Sequence, residues 1–369
     1  HHDADETFIL LSGDAEFWLE GDRFTRGPGD TVFVPRGAEH TFRVVSDTPS
    51  RHMIVFTPGG FEGFFAEMAA GAFRGYGATQ GTFALESAVN ELADKLGMDP
   101  LELRIRNLVK TGDIMKGYYN EPLNSCTLEA CIRKGREMIG WDEKYPVKKI
   151  SQSKVRSVGA AITMQGSGIS SIDIASVQIR LQDDGFYTLM IGATDMGTGC
   201  DTILAQMAAE SLGCDMAQII VSGVDTDHSP YDTGSYASST TYVTGTAVVK
   251  ACEKLIEMMT EQAAKVINSD PSETEFDGMV FKAGEKSITL EALARRLAVG
   301  NNKALSAESS HSSPVSPPPF MAGFAEIELD LETGEVDVID YVGVVDCGTP
   351  INPNLARIQT EGGIAQGIG

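Results

Sequence analysis

The chain has 369 residues and a formal net charge of −23, and its hydrophobic content of 42% is typical of a globular protein with about two or three domains. The negative charge argues against binding to nucleic acid or to anionic membrane surfaces. The sequence has no apolar run of about 18 residues, so we expect no membrane span. The six cysteines include no CxxC pair, which excludes the usual zinc and iron–sulfur spacings. The chain is too large and too sparse in cysteine for a disulfide scaffold, which favours a reducing cytoplasm. Because the chain starts at His1 inside a motif, we expect a cut N terminus.

Residues 1–68 predict a partial all-β domain of short antiparallel strands. Apolar residues alternate with polar ones, and glycine-containing turns separate the runs, as in a barrel or jelly roll. The alternating apolar residues are Phe8, Leu10, Phe17, Leu19, Phe24, Val32 and Val34.

Two imidazoles and a carboxylate at the mouth of such a barrel would suit a first-row divalent metal. His1 and Glu6 lie at the start of the first strand, and Gly29 to His40 follow the spacing G-x5-P-x-G-x2-H. This segment resembles the cupin family, and the resemblance implies His1, Glu6 and His40 as metal ligands. The first histidine of the family motif is missing, so a metal-free β-barrel fragment with surface histidines is the alternative.

The character of the sequence changes at Gly71, and residues 71–369 predict an α+β domain with long helices. In TFALESAVNELADKLG the residues Leu85, Val89, Leu92 and Leu96 form the apolar stripe of a helix. Asp99 followed by proline predicts the N-cap and first residue of the next helix.

The stretch TDMGTGCDTILAQMAAESLG places a glycine turn between a strand, YTLMIGA, and a helix. Gly197, Thr198 and Gly199 form that turn, and backbone N–H groups at a helix N terminus bind anions well. A plain strand-to-helix turn is the alternative.

Two further segments predict polar entries into helices. A loop containing Ser235, Ala237 and Ser238 leads into a helix, and a capped helix with a polar entry loop is the simpler interpretation. Near the C terminus, Asn352 is predicted to cap a helix that contains glycines, which destabilise a helix unless something packs closely against them. We expect Cys347, just before it, to lie in the core.

The stretches AFRGYGATQ, from Ala72, and ELADKLGMDPLELRIRNLVKTGD, together with the motifs above, resemble the molybdenum hydroxylases of the xanthine dehydrogenase and aldehyde oxidase family. The resemblance is to the large subunit, which binds molybdopterin. It implies a catalytic position for Arg74, for which a structural pairing with a carboxylate is the alternative, and substrate contacts by Tyr76 and Ile162. It implies cofactor contacts by Phe73, Gly197, Thr198, Gly199, Ser235, Ala237, Ser238 and Gln359.

The resemblance also implies a reaction and its partners. The reaction is hydroxylation of a small molecule at a carbon beside a ring nitrogen, as in purines, or at an aldehyde, with a glutamate as general base. That glutamate would follow Gly369, so we expect this chain to be inactive alone. Iron–sulfur and FAD subunits of an oligomeric enzyme would carry the electrons.

The predicted organisation is therefore a cupin fragment at 1–68 and a molybdopterin-binding domain at 71–369, truncated at both ends. A Ser/Pro-rich connection lies near 307–319 and includes His311. Two alternatives stay open. The chain could act as a metal-binding cupin module, either a dioxygenase or a small-molecule sensor, or it could be an artefactual fusion of two gene fragments.

Overall fold

The computed structural model describes residues 5–47, 50–57, 74–75, 77–115, 121–301 and 304–369. The contacts between Cα atoms divide the chain into two compact units, His1–Phe73 and Arg74–Gly369, which we call unit 1 and unit 2. Among the described residues, no helix is both long enough and apolar enough to cross a membrane.

Short antiparallel strands make up the described part of unit 1. They are β1 (Asp5–Ser12), β2 (Ala15–Leu19), β3 (Asp22–Arg26), β4 (Thr31–Val34), β5 (His40–Val44) and β6 (Arg51–Thr57). They form two three-stranded sheets, of order β4-β1-β6 and β3-β2-β5. The alternation read from the sequence places Phe8, Leu10 and Phe17 in one buried cluster. The predicted strands are confirmed, whereas the closed barrel stays a prediction.

Unit 2 is α+β, as predicted. Its strands are β7 (Lys148–Lys149), β8 (Lys154–Met164), β9 (Ile174–Leu181), β10 (Tyr187–Ile191), β11 (Ile219–Ser222), β12 (Glu275–Phe276), β13 (Val280–Ala283), β14 (Lys286–Thr289), β15 (Ser306–Ser312), β16 (Phe320–Asp330) and β17 (Val336–Asp346). Its helices are α1 (Ala78–Leu96), α2 (Pro100–Asn107), α3 (Leu128–Ile139), α4 (Trp141–Lys144), α5 (Cys200–Leu212), α6 (Gly245–Ile267), α7 (Leu290–Asn301) and α8 (Pro353–Ile368).

One four-stranded sheet, of order β11-β10-β9-β15, carries the larger core of unit 2. Strand β10 runs parallel to β11 and antiparallel to β9, and α5 connects β10 to β11. Tyr187, Leu189 and Ile191 alternate toward the core, where helices α5 and α6 cover the sheet. On α6, Val248 and Leu255 face this core and are fully buried.

A second sheet, of order β17-β16-β8-β7, is antiparallel throughout and packs against α3 and α4. The ETGE turn, which lies between two runs of alternating apolar residues, joins β16 to β17 as a hairpin. Phe324 of β16 meets Trp141 edge-on, with 6.2 Å between ring centroids. Helix α3 approaches this strand at Gly135, where an added Cβ would overlap the Phe324 ring. The glycine therefore sets how closely helix and sheet pack.

The helix starts predicted from the sequence are confirmed in atomic detail. The Asp99 carboxylate accepts hydrogen bonds from the backbone N–H of Leu101 at 2.7 Å and of Glu102 at 3.2 Å. The Asn352 side chain accepts one from Leu355 N–H at 3.1 Å. In each case a polar cap satisfies donors that the first helical turn leaves unpaired.

Helix α1 forms as predicted, but its apolar stripe does not face the core. Leu85, Leu92 and Leu96 are 63%, 48% and 57% exposed, whereas Glu86 is buried. The inward position on this helix is occupied by Glu86, which forms an ion pair with Arg104 of α2.

The Ser/Pro-rich segment 307–319 does not begin as a loop. Residues 306–312 form β15, which pairs along its whole length with β9. Ser176 and Ser310 hydroxyls lie 2.8 Å apart across the two strands, and Lys250 of α6 donates to His311. The expectation that His311 is a linker residue is therefore wrong. Its segment pairs with β9 as a strand, and its serine side chains form hydrogen bonds with the neighbouring strand.

Replacing Gly135 by alanine should destabilise unit 2 by about 1–3 kcal/mol, because the new methyl group must displace the Phe324 ring in a packed core. Urea unfolding followed by the fluorescence of buried Trp141, in a Trp18→Phe background, measures the change. Gly81→Ala is the matched control, since an added Cβ on α1 meets open space there. Equal stability of Gly135→Ala and the parent chain would contradict the packing described.

Candidate functional site

Arg74 lies against helix α8 and is held there by three hydrogen bonds. One guanidinium nitrogen, Nη2, donates to the backbone oxygen of Gln359 at 2.7 Å and to its Oε1 at 3.2 Å. The other, Nη1, donates to Gln366 Oε1 at 3.3 Å. The partners of Arg74 are thus glutamine oxygens, so its positive charge is oriented without being neutralised by them.

The Arg74 guanidinium packs against two glycines of α8. A Cβ added at Gly362 or Gly363 would lie 3.5 or 3.6 Å from the Arg74 guanidinium. The close packing that these helical glycines predicted is therefore present, and the group that packs there is Arg74.

Gln359 connects Arg74 to the glycine turn. Its Nε2 donates to the backbone oxygen of Gly197 at 3.2 Å. Three residues predicted from separate segments, Arg74, Gln359 and Gly197, therefore form one hydrogen-bonded group in unit 2.

The N–H groups of the glycine turn already bind a carboxylate of the chain. Asp195 Oδ1 accepts from Gly197 N at 2.9 Å and from Gly199 N at 3.1 Å, and Oδ2 accepts from Asp201 N at 3.4 Å. Burial raises the pKa of the Asp195 carboxyl, but these backbone hydrogen bonds outweigh it and hold the pKa below its ordinary 3.8. The turn binds an anion, as its sequence predicts, and that anion is Asp195.

The loop that enters α6 has an uncommon backbone. Ala237 and Ser238 have φ values of 49° and 60°, in the left-handed region that residues other than glycine rarely adopt. A π-helical turn, Thr240–Thr244, follows them. The Ser235 hydroxyl accepts the Thr194 N–H at 2.8 Å and fixes the loop to the segment that follows β10. Strained residues and π turns cluster at functional sites, which makes this loop a candidate binding surface.

A cavity of about 630 Å³, which we call cavity 1, joins all three motifs. Thr198, Ser238 and Gln359 line it, one from each motif. Cys347 also lines it and is exposed, so the expectation of a core cysteine is wrong. The reason is local: β17 ends at Asp346, and Cys347 begins the turn that leads to α8.

A second cavity, of about 770 Å³, lies beside the first and is called cavity 2. Ile162 and Ala237 line it, and the buried ring of Phe320 lines both cavities. Ala237 and Ser238 are consecutive, so the strained loop presents one residue to each cavity.

A buried ion pair fixes the wall of cavity 2. Glu86 and Arg104 are 6% and 3% exposed, with Glu86 Oε2 and Arg104 Nη2 2.7 Å apart. The same Glu86 oxygen accepts the backbone N–H of Ile162 at 2.7 Å. The pair therefore joins α1 and α2 to β8.

Asp195, Cys200 and Asp201 lie around the start of α5. In the described part of the chain, they are the three residues with metal-binding side chains whose ligand atoms lie close together, within 4.8 Å of one another. Burial, with the two nearby carboxylates, raises the pKa of the Cys200 thiol to about 11. The thiol is therefore protonated at neutral pH, whereas cysteine binds metals as the thiolate.

In unit 1, Glu6 is buried and its Oε2 lies 3.5 Å from His40 Nε2, so two of the three predicted metal ligands are neighbours. The third, His1, lies outside the described residues. Phe73 and Tyr76, predicted to contact cofactor and substrate, also lie outside them.

Sequence reasoning missed Asp195 and the Glu86–Arg104 pair. Asp195 had a local signal, because an aspartate two residues before a glycine often accepts backbone N–H bonds of the turn. Glu86 had no local signal beyond its position inside an apolar helix, because its partner Arg104 lies 18 residues away in the sequence.

Family models match most of the chain. A model described as molybdopterin cofactor-binding domain matches residues 134–369, and another of the same description matches residues 65–108. A model described as cupin domain matches residues 1–56.

Individual relatives agree with these matches. The probable hypoxanthine oxidase XdhD of Escherichia coli (strain K12) is 36% identical over 81% of this chain and 32% of its own length. The putative xanthine dehydrogenase molybdenum-binding subunit XdhA of the same strain is 33% identical over 82% of this chain and 41% of its own length. The solved aldehyde oxidoreductase from Desulfovibrio desulfuricans is 28% identical, with a TM-score of 0.65 over 81% of this chain and 32% of that one. The chain thus spans less than half the length of each.

Replacing Asp195 by alanine should lower the free energy of unfolding by about 0.5–2 kcal/mol, the usual cost of losing such a cap. Because the folded-state pKa of Asp195 is lowered, its contribution is fully present above its ordinary 3.8 and is lost as the pH falls through the lowered value. Urea unfolding between about pH 7 and pH 3, read from Trp141, measures the stability gap between parent and variant. A gap that stays constant down to the lowest pH contradicts this role. Asp183→Ala, at an exposed turn position, is the control.

Proposed function

The chain belongs to the molybdopterin cofactor-binding domain family, and we propose that it forms the cofactor-binding part of the large subunit of a molybdenum hydroxylase. The observation that carries this proposal is the convergence of three sequence segments on cavity 1, with Arg74, Gln359 and Gly197 joined by hydrogen bonds beside it.

The chemistry of the side chains fits this anionic, hydrogen-bonding cofactor. Cavity 1 offers the hydroxyls of Thr198 and Ser238, and the Gln359 amide on its wall holds the Arg74 guanidinium, which supplies a positive charge next to them. Since Asp195 occupies the N–H groups of Gly197 and Gly199, we assign cofactor contacts in that turn to Thr198.

The residues of this chain would bind and orient, and the bound molybdopterin would supply the metal centre for oxidation. Arg74 is fixed by three hydrogen bonds to α8, so its charge is oriented before any ligand arrives. The buried Phe320 lines both cavities, and cavity 1 carries more polar side chains than cavity 2. In this arrangement cavity 1 holds the cofactor and cavity 2, with Ile162, receives the substrate.

Partners and location follow from the same proposal. Because two relatives are named as a molybdenum-binding subunit and as an aldehyde oxidoreductase, we propose that separate iron–sulfur and FAD subunits carry the electrons. The reaction would hydroxylate a nitrogen heterocycle or an aldehyde. All six cysteines are free, which supports the reducing cytoplasm as the location.

Unit 1 has a second candidate function, because Glu6 and His40 lie close together in a family of metal-binding folds. We propose that this unit holds a divalent iron, nickel or manganese ion through these two residues, with His1 as the third ligand. The domain division at 1–68 and 71–369 is part of the same proposal.

The first test is retention of the cofactor by the full chain. We expect the chain purified from molybdopterin-producing cells to release pterin, which is measured by its fluorescence after oxidation. The Gln359→Leu variant should release about tenfold less pterin, because leucine cannot form the hydrogen bonds to Arg74 and Gly197. Gln262→Leu, on α6 and outside both cavities, is the control. A parent chain without pterin would contradict the proposed function, and equal retention by Gln359→Leu would contradict the role of Gln359.

The second test is metal content. We expect about one divalent ion per chain by plasma mass spectrometry, and its loss in Glu6→Gln but not in the exposed control Glu39→Gln, because a neutral amide is a weaker ligand for such ions. An unchanged metal content in Glu6→Gln would contradict the site.

The tryptic peptide 52–74, sought in source cells, tests whether both units belong to one polypeptide or to an artefactual fusion.

A further inference from the structure

Cavity 2 has the size of a small-molecule site and a mainly apolar wall. Its volume of about 770 Å³ lies within the range of about 300–1,000 Å³ that ligand sites have. The apolar part of the wall comes from α1, β8 and the segments around them. Its members include Leu85, Val109, Met115, Ile162, Met164 and Phe320.

The charged group on this wall is already neutralised. Glu86 is the ionisable residue that lines cavity 2 among the described residues, and its carboxylate binds Arg104 and the backbone N–H of Ile162. The described wall therefore offers no unpaired charge to bind a charged ligand.

Most polar side chains of the wall also have partners inside the protein. The hydroxyls of Thr82 and Thr163 lie 3.4 Å apart, and the Asn107 amide donates to Leu103 O at 2.8 Å. The other hydroxyls are those of Ser170, which donates to Pro314 O, and Ser316, which donates to Gly168 O.

Gln165 is different. It follows the last residue of β8, it is half-buried, and it lines cavity 2. Its carboxamide makes no hydrogen bond within the part of the chain that the structure describes, although its backbone N–H donates to Pro319 O. A carboxamide offers both a donor and an acceptor, so this side chain presents one hydrogen-bonding edge to an otherwise apolar cavity.

We propose that cavity 2 selects neutral, mostly apolar aromatic substrates with a single hydrogen-bonding edge, and that Gln165 is the residue that recognises that edge. The substrate class is a monoaza heterocycle or an aromatic aldehyde, in preference to oxidised purines. This inference rests on the proposed function, because only a hydroxylase makes the ligand of cavity 2 a substrate.

The preference follows from the unpaired groups that a purine would bring. Hypoxanthine carries several N–H, ring nitrogen and carbonyl groups, and one carboxamide cannot satisfy them all. Each polar group that loses water without gaining a partner lowers affinity by about tenfold or more. A compound such as quinoline has one ring nitrogen, which the Gln165 amide satisfies, and its remaining surface matches the apolar wall.

Methyl NMR on the full chain without cofactor tests this inference. The chain is labelled with ¹³C-methyl methionine, and the Met115 and Met164 signals are assigned from Met115→Leu and Met164→Leu. Quinoline and hypoxanthine are then titrated separately at neutral pH. We expect quinoline to shift both signals and to bind at least about tenfold more tightly than hypoxanthine.

Two variants isolate the role of Gln165. Gln165→Leu should weaken quinoline binding by about 3- to 10-fold through loss of one hydrogen bond, and Gln165→Glu should also weaken it, because a carboxylate has no donor for the ring nitrogen. Gln152→Leu, beyond the opposite end of β8, is the control and should bind quinoline like the parent chain. A preference for hypoxanthine, absence of shifts with both compounds, or Gln165→Leu binding like the control overturns the inference.

The outcome is separable from that of the proposed function. A chain that retains pterin but prefers hypoxanthine overturns this inference alone. A chain that prefers quinoline but retains no pterin overturns the proposed function and leaves the selectivity of cavity 2 established.

Discussion

The ion pair between Glu86 and Arg104 joins three elements of unit 2, namely α1, α2 and β8, at the wall of cavity 2. Both side chains are buried, and one carboxylate oxygen binds the guanidinium of α2 and the backbone of β8 at once. Removing either partner would leave a buried charge uncompensated, at a cost of about 3–5 kcal/mol. The pair thus fixes the end of β8, from which Ile162 and Gln165 reach cavity 2.

The two cavities differ in chemistry because different elements supply their walls. Cavity 1 is built from turns and helix starts, where hydroxyls, amides and backbone groups collect. Cavity 2 is built from a helix face and a strand end, where aliphatic side chains dominate. Phe320 lines both cavities, and the strained loop presents Ala237 to cavity 2 and Ser238 to cavity 1, so the two cavities share a boundary.

Local signals in the sequence were sufficient for helix starts and turns. The caps at Asp99 and Asn352 and the ETGE hairpin depend on residues within a few positions, and the structure has all three. Features that depend on distant partners were not predictable in this way. The burial of Glu86 on α1 depends on its pairing with Arg104, and the strand at 306–312 depends on its pairing with β9.

The candidate site shows the same division. The glycine turn, the Ser235–Ser238 loop and Gln359 were all identified from motifs, yet no motif states that Asp195 fills the turn or that Gln165 is left unpaired. Those facts depend on which donors and acceptors the folded chain has already used. The exposure of Cys347 is of the same kind, since it depends on where β17 ends.

Arg74 and Gln359 are separated by 285 residues, yet they share two hydrogen bonds. During synthesis, Arg74 leaves the ribosome long before its partner helix exists. At about 5–20 residues per second, the delay is roughly 15–60 s. The loop closed by this contact is among the longest that unit 2 offers, and closing it carries a high entropic cost. The guanidinium is therefore among the last groups to be positioned, because all three of its hydrogen-bond partners lie on α8, the last helix to be synthesised.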